Sequence, residues 1–240
     1  MKPATPIVIT TAALSSSLAF AQIPTPGIVV SPENRSGDAK MHELISMPKT
    51  AADFIKNIKY AFDNNLFLDD RFFEKSNVCK AFSIDEKACD PHEVHLPDGT
   101  HGMTLGANIE MFAQEPISNQ PNSTQHHHPK HAGHRSTAQI LIDNRIDPNG
   151  VVSGGINFTT QRGGPDFMKT VQILNVNLTE SIEMPPHGKI PIPVTGPHGD
   201  ETWRYEISTE HLKKKLVIGF LSDGTLESML VEIYEIGGHQ

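Results

Sequence analysis

ILIDNRIDPNGVVSGGINF, residues 140–158, is the stretch on which the fold class turns. Ile140, Ile142 and Ile146 keep one phase of an alternating run. Asp147-Pro148-Asn149-Gly150 is a strong turn signal, and Val152, Ile156 and Phe158 lie beyond it. Two such runs joined by a turn predict a β-hairpin, with each apolar set on one face. Gly154-Gly155 inside the second run marks a bulge or close packing.

Downstream, the same period recurs. Trp203, Tyr205 and Ile207 alternate, as do Leu216, Ile218 and Phe220. Ser222-Asp223-Gly224-Thr225 then turns the chain into Met229, Val231 and Ile233, a second hairpin. Between the hairpins, Val171 and Ile173 alternate, and Leu174, Val176 and Leu178 alternate in the opposite phase. A strand carrying a β-bulge fits that switch. Residues 185–201 are rich in Pro and Gly and read as a turn-rich connection.

Upstream, Met103 to Phe112 reads as a strand, and 114–137 as a polar insert of Pro, Asn, Gln, Ser and His. That insert has too few apolar residues to offset the entropy of ordering it. Before it the period changes to 3.6. Ala51, Phe54, Ile55, Ile58 and Phe62 form a helical stripe, with Thr50 and Asp53 as a capping box and Asn64-Asn65 as its end. Asp69 to Phe82 reads as a second helix, although its apolar residues fit one stripe poorly. Helices first and hairpins afterwards predict an α+β fold with a mainly antiparallel, curved sheet. The expected organisation is a signal peptide at 1–21, a flexible arm at 22–47 and a single domain from 48 to 240.

The signal reading rests on Lys2, the apolar run from Ile7 to Phe20, and Ala19-Phe20-Ala21 as a small-x-small cleavage pattern. The run is too short and too rich in Ser and Thr to span a bilayer, so no transmembrane segment is expected. Export to a periplasm or the exterior agrees with the cysteine count. The chain has two, Cys79 and Cys89, whose spacing is not that of a redox motif, and a structural disulfide is the expectation. A formal charge of -8 without a basic cluster argues against nucleic acid as a partner. Lys213-Lys214-Lys215 reads as a solvated surface.

Two patterns carry chemistry. His126, His127, His128, His131 and His134 place five imidazoles within nine residues, a set able to bind a divalent transition metal such as Zn, Cu or Ni. The alternative is a solvated loop without a resident ion. His92 and His95 would supplement it if the fold brought them near. The second pattern is His187, His198, Asp200 and Glu201 in the turns of 185–201, where an imidazole beside a carboxylate suits general-base catalysis. The alternative there is plain turn chemistry. Nucleophilic catalysis lacks a Gly-x-Ser-x-Gly motif, and residues 161–166 lose a phosphate-cradling donor to Pro165. The expected function is therefore an exported, non-enzymatic binding protein for an unknown protein or small molecule. A periplasmic metal-binding protein and a small enzyme at 185–201 are the alternatives.

Overall fold

The computed structural model describes residues 41, 43–44, 47–112, 135–162, 164–181 and 196–236. Helix α1 (Ala51–Asp63) is followed by two 3-10 turns, Leu66–Leu68 and Asp70–Phe73, and by helix α2 (Lys75–Ala81). Strands β1 (His92–His95), β2 (His101–Phe112), β3 (Arg135–Ile146) and β4 (Val152–Thr160) come next. Helix α3 (Phe167–Leu174) leads to β5 (Thr179–Glu180), β6 (Thr202–Ser208), β7 (Leu212–Phe220) and β8 (Leu226–Glu235). The α+β expectation holds. All strands join one open antiparallel sheet in the order β1-β2-β3-β4-β8-β7-β6-β5. It is two four-strand meanders joined where β4 pairs with β8.

Alternation gives the sheet one buried face. Leu105, Ile142, Ile156, Val231 and Leu216 lie side by side across five strands, and all are buried. The next row holds Ile140, Phe158, Met229 and Ile218. Over these rows lie α1 and the turns that follow it. The Phe54 ring is 6.2 Å from Phe158 and 6.5 Å from Phe82. Each buried aromatic of this kind contributes roughly 1.5–3 kcal/mol of apolar transfer.

The local signals for α1 act as expected. Thr50 Oγ1 accepts from the Asp53 N–H, and the Asp53 carboxylate accepts from the Thr50 N–H. Asn64 is the C-cap, and Asn65 turns left-handed at φ 59°. Lys214 differs from its solvated reading. Its ammonium donates to Phe62 O at 2.8 Å and Asp63 O at 3.3 Å. A cation there meets the negative end of the α1 dipole.

Three expectations need correction. Residues 171–174 belong to α3 rather than to a bulged strand: the Asp166 side chain caps the helix from Lys169 N–H, and Asn175 closes it at φ 47°. The sheet's irregularity falls instead between Gly219 and Phe220. The second helix is shorter than predicted, because Asp69 caps a separate 3-10 turn before α2 begins at Lys75. The polar insert ends sooner, since Arg135, Ser136 and Thr137 already belong to β3. In the arm, Met41 and Leu44 pack against the core. The signal peptide and the rest of the insert lie outside the described residues.

Cys79 and Cys89 form the expected disulfide, pinning α2 to the chain that leads into β1. Both are buried. The cross-link closes a loop of sequence separation 10, worth about 2–3 kcal/mol through the unfolded ensemble. Reduction is therefore expected to lower the urea midpoint of the oxidised protein. An unchanged midpoint after complete thiol titration would remove the disulfide from the account of stability.

Candidate functional site

The turn before β6 assembles the one His–carboxylate pair that the turn pattern suggested. His198 and Asp200 both sit at positive φ, 76° and 56°, which folds the turn back on itself. Asp200 N–H donates to Leu221 O, and Phe220 N–H donates to Glu201 O. These bonds hold the turn against the end of β7. The His198 ring stacks on Phe167, centroids 3.8 Å apart and planes 5° apart. Phe167 in turn contacts Trp203 and Phe220 at 4.8 and 5.4 Å. Glu201 accepts from His198 Nδ1 at 3.2 Å and from the Trp203 indole N–H at 3.0 Å.

Burial pushes the Glu201 carboxyl up, but the His198 backbone N–H, the Trp203 indole and the His198 ring outweigh it, and its pKa lies below the ordinary value of 4.5. The group is a carboxylate at neutral pH. An imidazole held at Nδ1 by a carboxylate leaves Nε2 as a base. Among the described residues, however, no hydroxyl or thiol is hydrogen-bonded to that ring, and one of its faces is covered by Phe167. The arrangement closes α3 onto β6 and β7. Because the folded pKa of Glu201 is depressed, its stabilising contribution is complete above the unfolded value near 4.5 and is lost as pH falls through the lower folded value. The melting-temperature gap between wild type and Glu201→Gln is expected to shrink between pH 7 and pH 3. A gap constant with pH would remove the ionised carboxylate from this role.

Of the metal candidates, the structure describes His92 and His95. His92 and His95 lie on β1, not on a helix, and three residues along a strand place them on opposite faces. His95 stacks at 6.2 Å on His101, and its Nε2 is 3.5 Å from Glu93. Among the described residues no group of three or more His, Cys, Asp or Glu is placed to hold a metal ion. His126, His127, His128, His131, His134 and His187 lie outside the described residues.

Sequence reasoning missed Asn144. It occupies the buried phase of Ile140 and Ile142, a polar residue where the pattern asks for an apolar one, and that mismatch was the available signal. Its carbonyl oxygen accepts from Met103 N–H at 2.7 Å, and its amide donates to Asp70 at 2.7 Å. The 3-10 turn, β3 and β2 are thereby tied together.

The second face of the sheet has no described element over it. One row on it reads Leu141, Asn157, Leu230, Val217, Arg204 across five strands. Leu141 is 52% exposed. The neighbouring row reads Asp143, Gly155, Glu232, Lys215, Glu206, with Lys215 paired to Glu232 at 3.0 Å. Beside Gly155, a depression of about 390 Å3 opens between Leu141, Asp143, Leu230 and Tyr234. Burial and the adjacent Glu232 and Asp143 carboxylates push the Tyr234 hydroxyl up to about 12.

The sheet edge beside β2 is also partly open. Strand β1 covers only its first residues, His101 to Thr104, and the chain at Lys49 covers Phe112. No described helix is long and apolar enough to cross a membrane. No protein-family model, curated protein or solved structure matches the chain.

Proposed function

We propose that this is an exported, non-enzymatic binding protein that offers its sheet to a protein partner. The observation that carries the reading is the row Leu141, Leu230, Val217 on the uncovered face, with an ion-paired row on one side of it and a neutral polar row on the other. An apolar centre with a polar rim is the anatomy of a protein interface. Leu141, half exposed, shares its row with Leu230 and Val217, and grouped rather than scattered apolar surface marks an interaction site. Export is supported by the small-x-small pattern at Ala19-Phe20-Ala21 and by the oxidised Cys79–Cys89 pair. The proposed contacts are those of the sheet surface.

A photo-reactive residue at 141 in the exported chain tests this, with the same residue at exposed Lys56 on α1 as control. The expected result is a cross-linked protein of fixed mass specific to position 141. Purified, that protein is expected to bind Leu141→Glu at least about tenfold more weakly, or about 1.4 kcal/mol. Thermal stability should stay unchanged. Cross-links common to both positions, or full affinity for the variant, would overturn the reading.

A further inference from the structure

We infer that the uncovered edge of β2 takes up an extended segment of a partner protein by strand addition, seating an apolar side chain and a neighbouring carboxylate in the depression at its end. The inference rests on the binding-protein reading above and names how the partner is held.

Strand geometry fixes which backbone groups are on offer. Phe112 N–H points away from β3, because it donates to Lys49 O at 2.8 Å. N–H and C=O of one residue point the same way, and the direction repeats every second residue. Gly106, Asn108 and Glu110 therefore present their N–H and C=O groups to the edge. Among the described residues none of these groups has a backbone partner on that side. All three residues are exposed, and for Gly106 that exposure is essentially backbone. Unpaired edge groups are a template for another strand.

The two edges of the sheet differ in how they are protected. Beyond β5, the uncovered half of β6 carries Glu206, paired to Lys213 at 2.6 Å, so a charged pair guards that edge. Lysine, proline and bulges are the usual means of blunting an edge. Residues 105–111 of β2 contain no lysine, no proline and one charge, Glu110. Nothing in that stretch discourages an incoming strand.

The C-terminal end of the same edge has a side-chain receptor. A depression of about 230 Å3 lies between Met47, Pro48, Met111 and Phe112. Met47 and Phe112 are 69% and 46% exposed, so their apolar surface faces solvent. Arg135 on its rim is paired with Glu110 at 2.9 Å, whereas Lys49 makes no ion pair among the described residues. Among the described residues the rim carries Lys49 and Arg135 against Glu110, a net positive charge. In strand addition the backbone bonds give affinity and such a pocket gives specificity. The matching segment is extended and carries an apolar residue beside Asp or Glu.

The test is a selection of displayed random octapeptides against the full exported chain, with Asn108→Pro as a parallel target. Proline there removes an edge-facing N–H and leaves the ladder to β3 intact. Enriched peptides are expected to share an apolar residue next to Asp or Glu, and to bind Asn108→Pro at least about tenfold more weakly. Because that variant itself perturbs the strand, the enriched peptide is also made with alternate amides N-methylated and titrated against the unchanged protein, where the same loss is expected. Hydrogen exchange at Gly106, Asn108 and Glu110 should slow when the peptide is added. The inference is overturned if no sequence is enriched, or if the N-methylated peptide binds as well. It is also overturned if those three amides are already protected in the free chain, which would mean that another part of this chain fills the edge. Peptides lost on Leu141→Glu but not on Asn108→Pro would sink strand addition and leave the binding-protein reading standing.

Discussion

Phe158→Ala is expected to lower the unfolding free energy by about 3–5 kcal/mol, read as a fall in the urea midpoint at unchanged slope. Phe158 is fully buried on β4, with Ile140 and Met229 beside it in register. Its ring is one of a stack that continues through Phe54 on α1 to Phe82 after α2. The cost of a truncation depends on how far the surroundings collapse into the space. Here collapse is opposed from both sides. The capping box fixes where α1 starts, and the disulfide fixes α2. A half-exposed neighbour on the next strand gives the contrast: Leu141→Ala should stay within about 0.5 kcal/mol of wild type. A loss under about 1.5 kcal/mol for Phe158→Ala would show that the helical layer does not rest on this stack.

The parts of the fold legible in the sequence are those whose causes are local. Thr50 and Asp53 specify the start of α1 within four residues, and Asp147 to Gly150 specifies the β3–β4 turn within four. Residues 171–178 were misread because apolar residues there satisfy either period over so short a window. The deciding groups, Asp166 and Asn175, stand at the ends of the helix rather than inside it. His198 and Glu201 were legible as a pair because they are three residues apart. Their aromatic support was not, because Phe167 reaches them from another element. Alternation likewise told which side chains of β3 face outward. It carried no information on whether anything covers them, since that depends on strand order, and pairings such as β4 with β8 join residues far apart in sequence.

Gly154→Ala is expected to be more damaging than its size suggests, at or beyond the top of the roughly 1–3 kcal/mol range for overpacking. A Cβ there would stand 2.1 Å from Phe67 O and 2.9 Å from Phe67 C. Those are backbone atoms of a 3-10 turn whose Leu66 and Phe67 side chains are buried, so no flexible group can move aside. The β4 register runs through Gly154 and Gly155 without a bulge, so close packing is the reason for the glycine. Gly106→Ala is the matched control: its Cβ would meet only Leu141 Cδ1, at 3.9 Å, and its stability should hold within about 0.5 kcal/mol. The consequence reaches the proposed edge. Gly154 pairs with Asn144, and the turn it admits leads into Asp70, which holds the Asn144 amide while Asn144 holds Met103 N–H. Displacing the turn should therefore loosen β2 next to where β1 stops covering it. Hydrogen exchange at Met103 is expected to quicken in Gly154→Ala and to stay slow in Gly106→Ala. Equal exchange in both would mean that β2 is positioned without this turn, and that the length of its open edge is set by β1 alone.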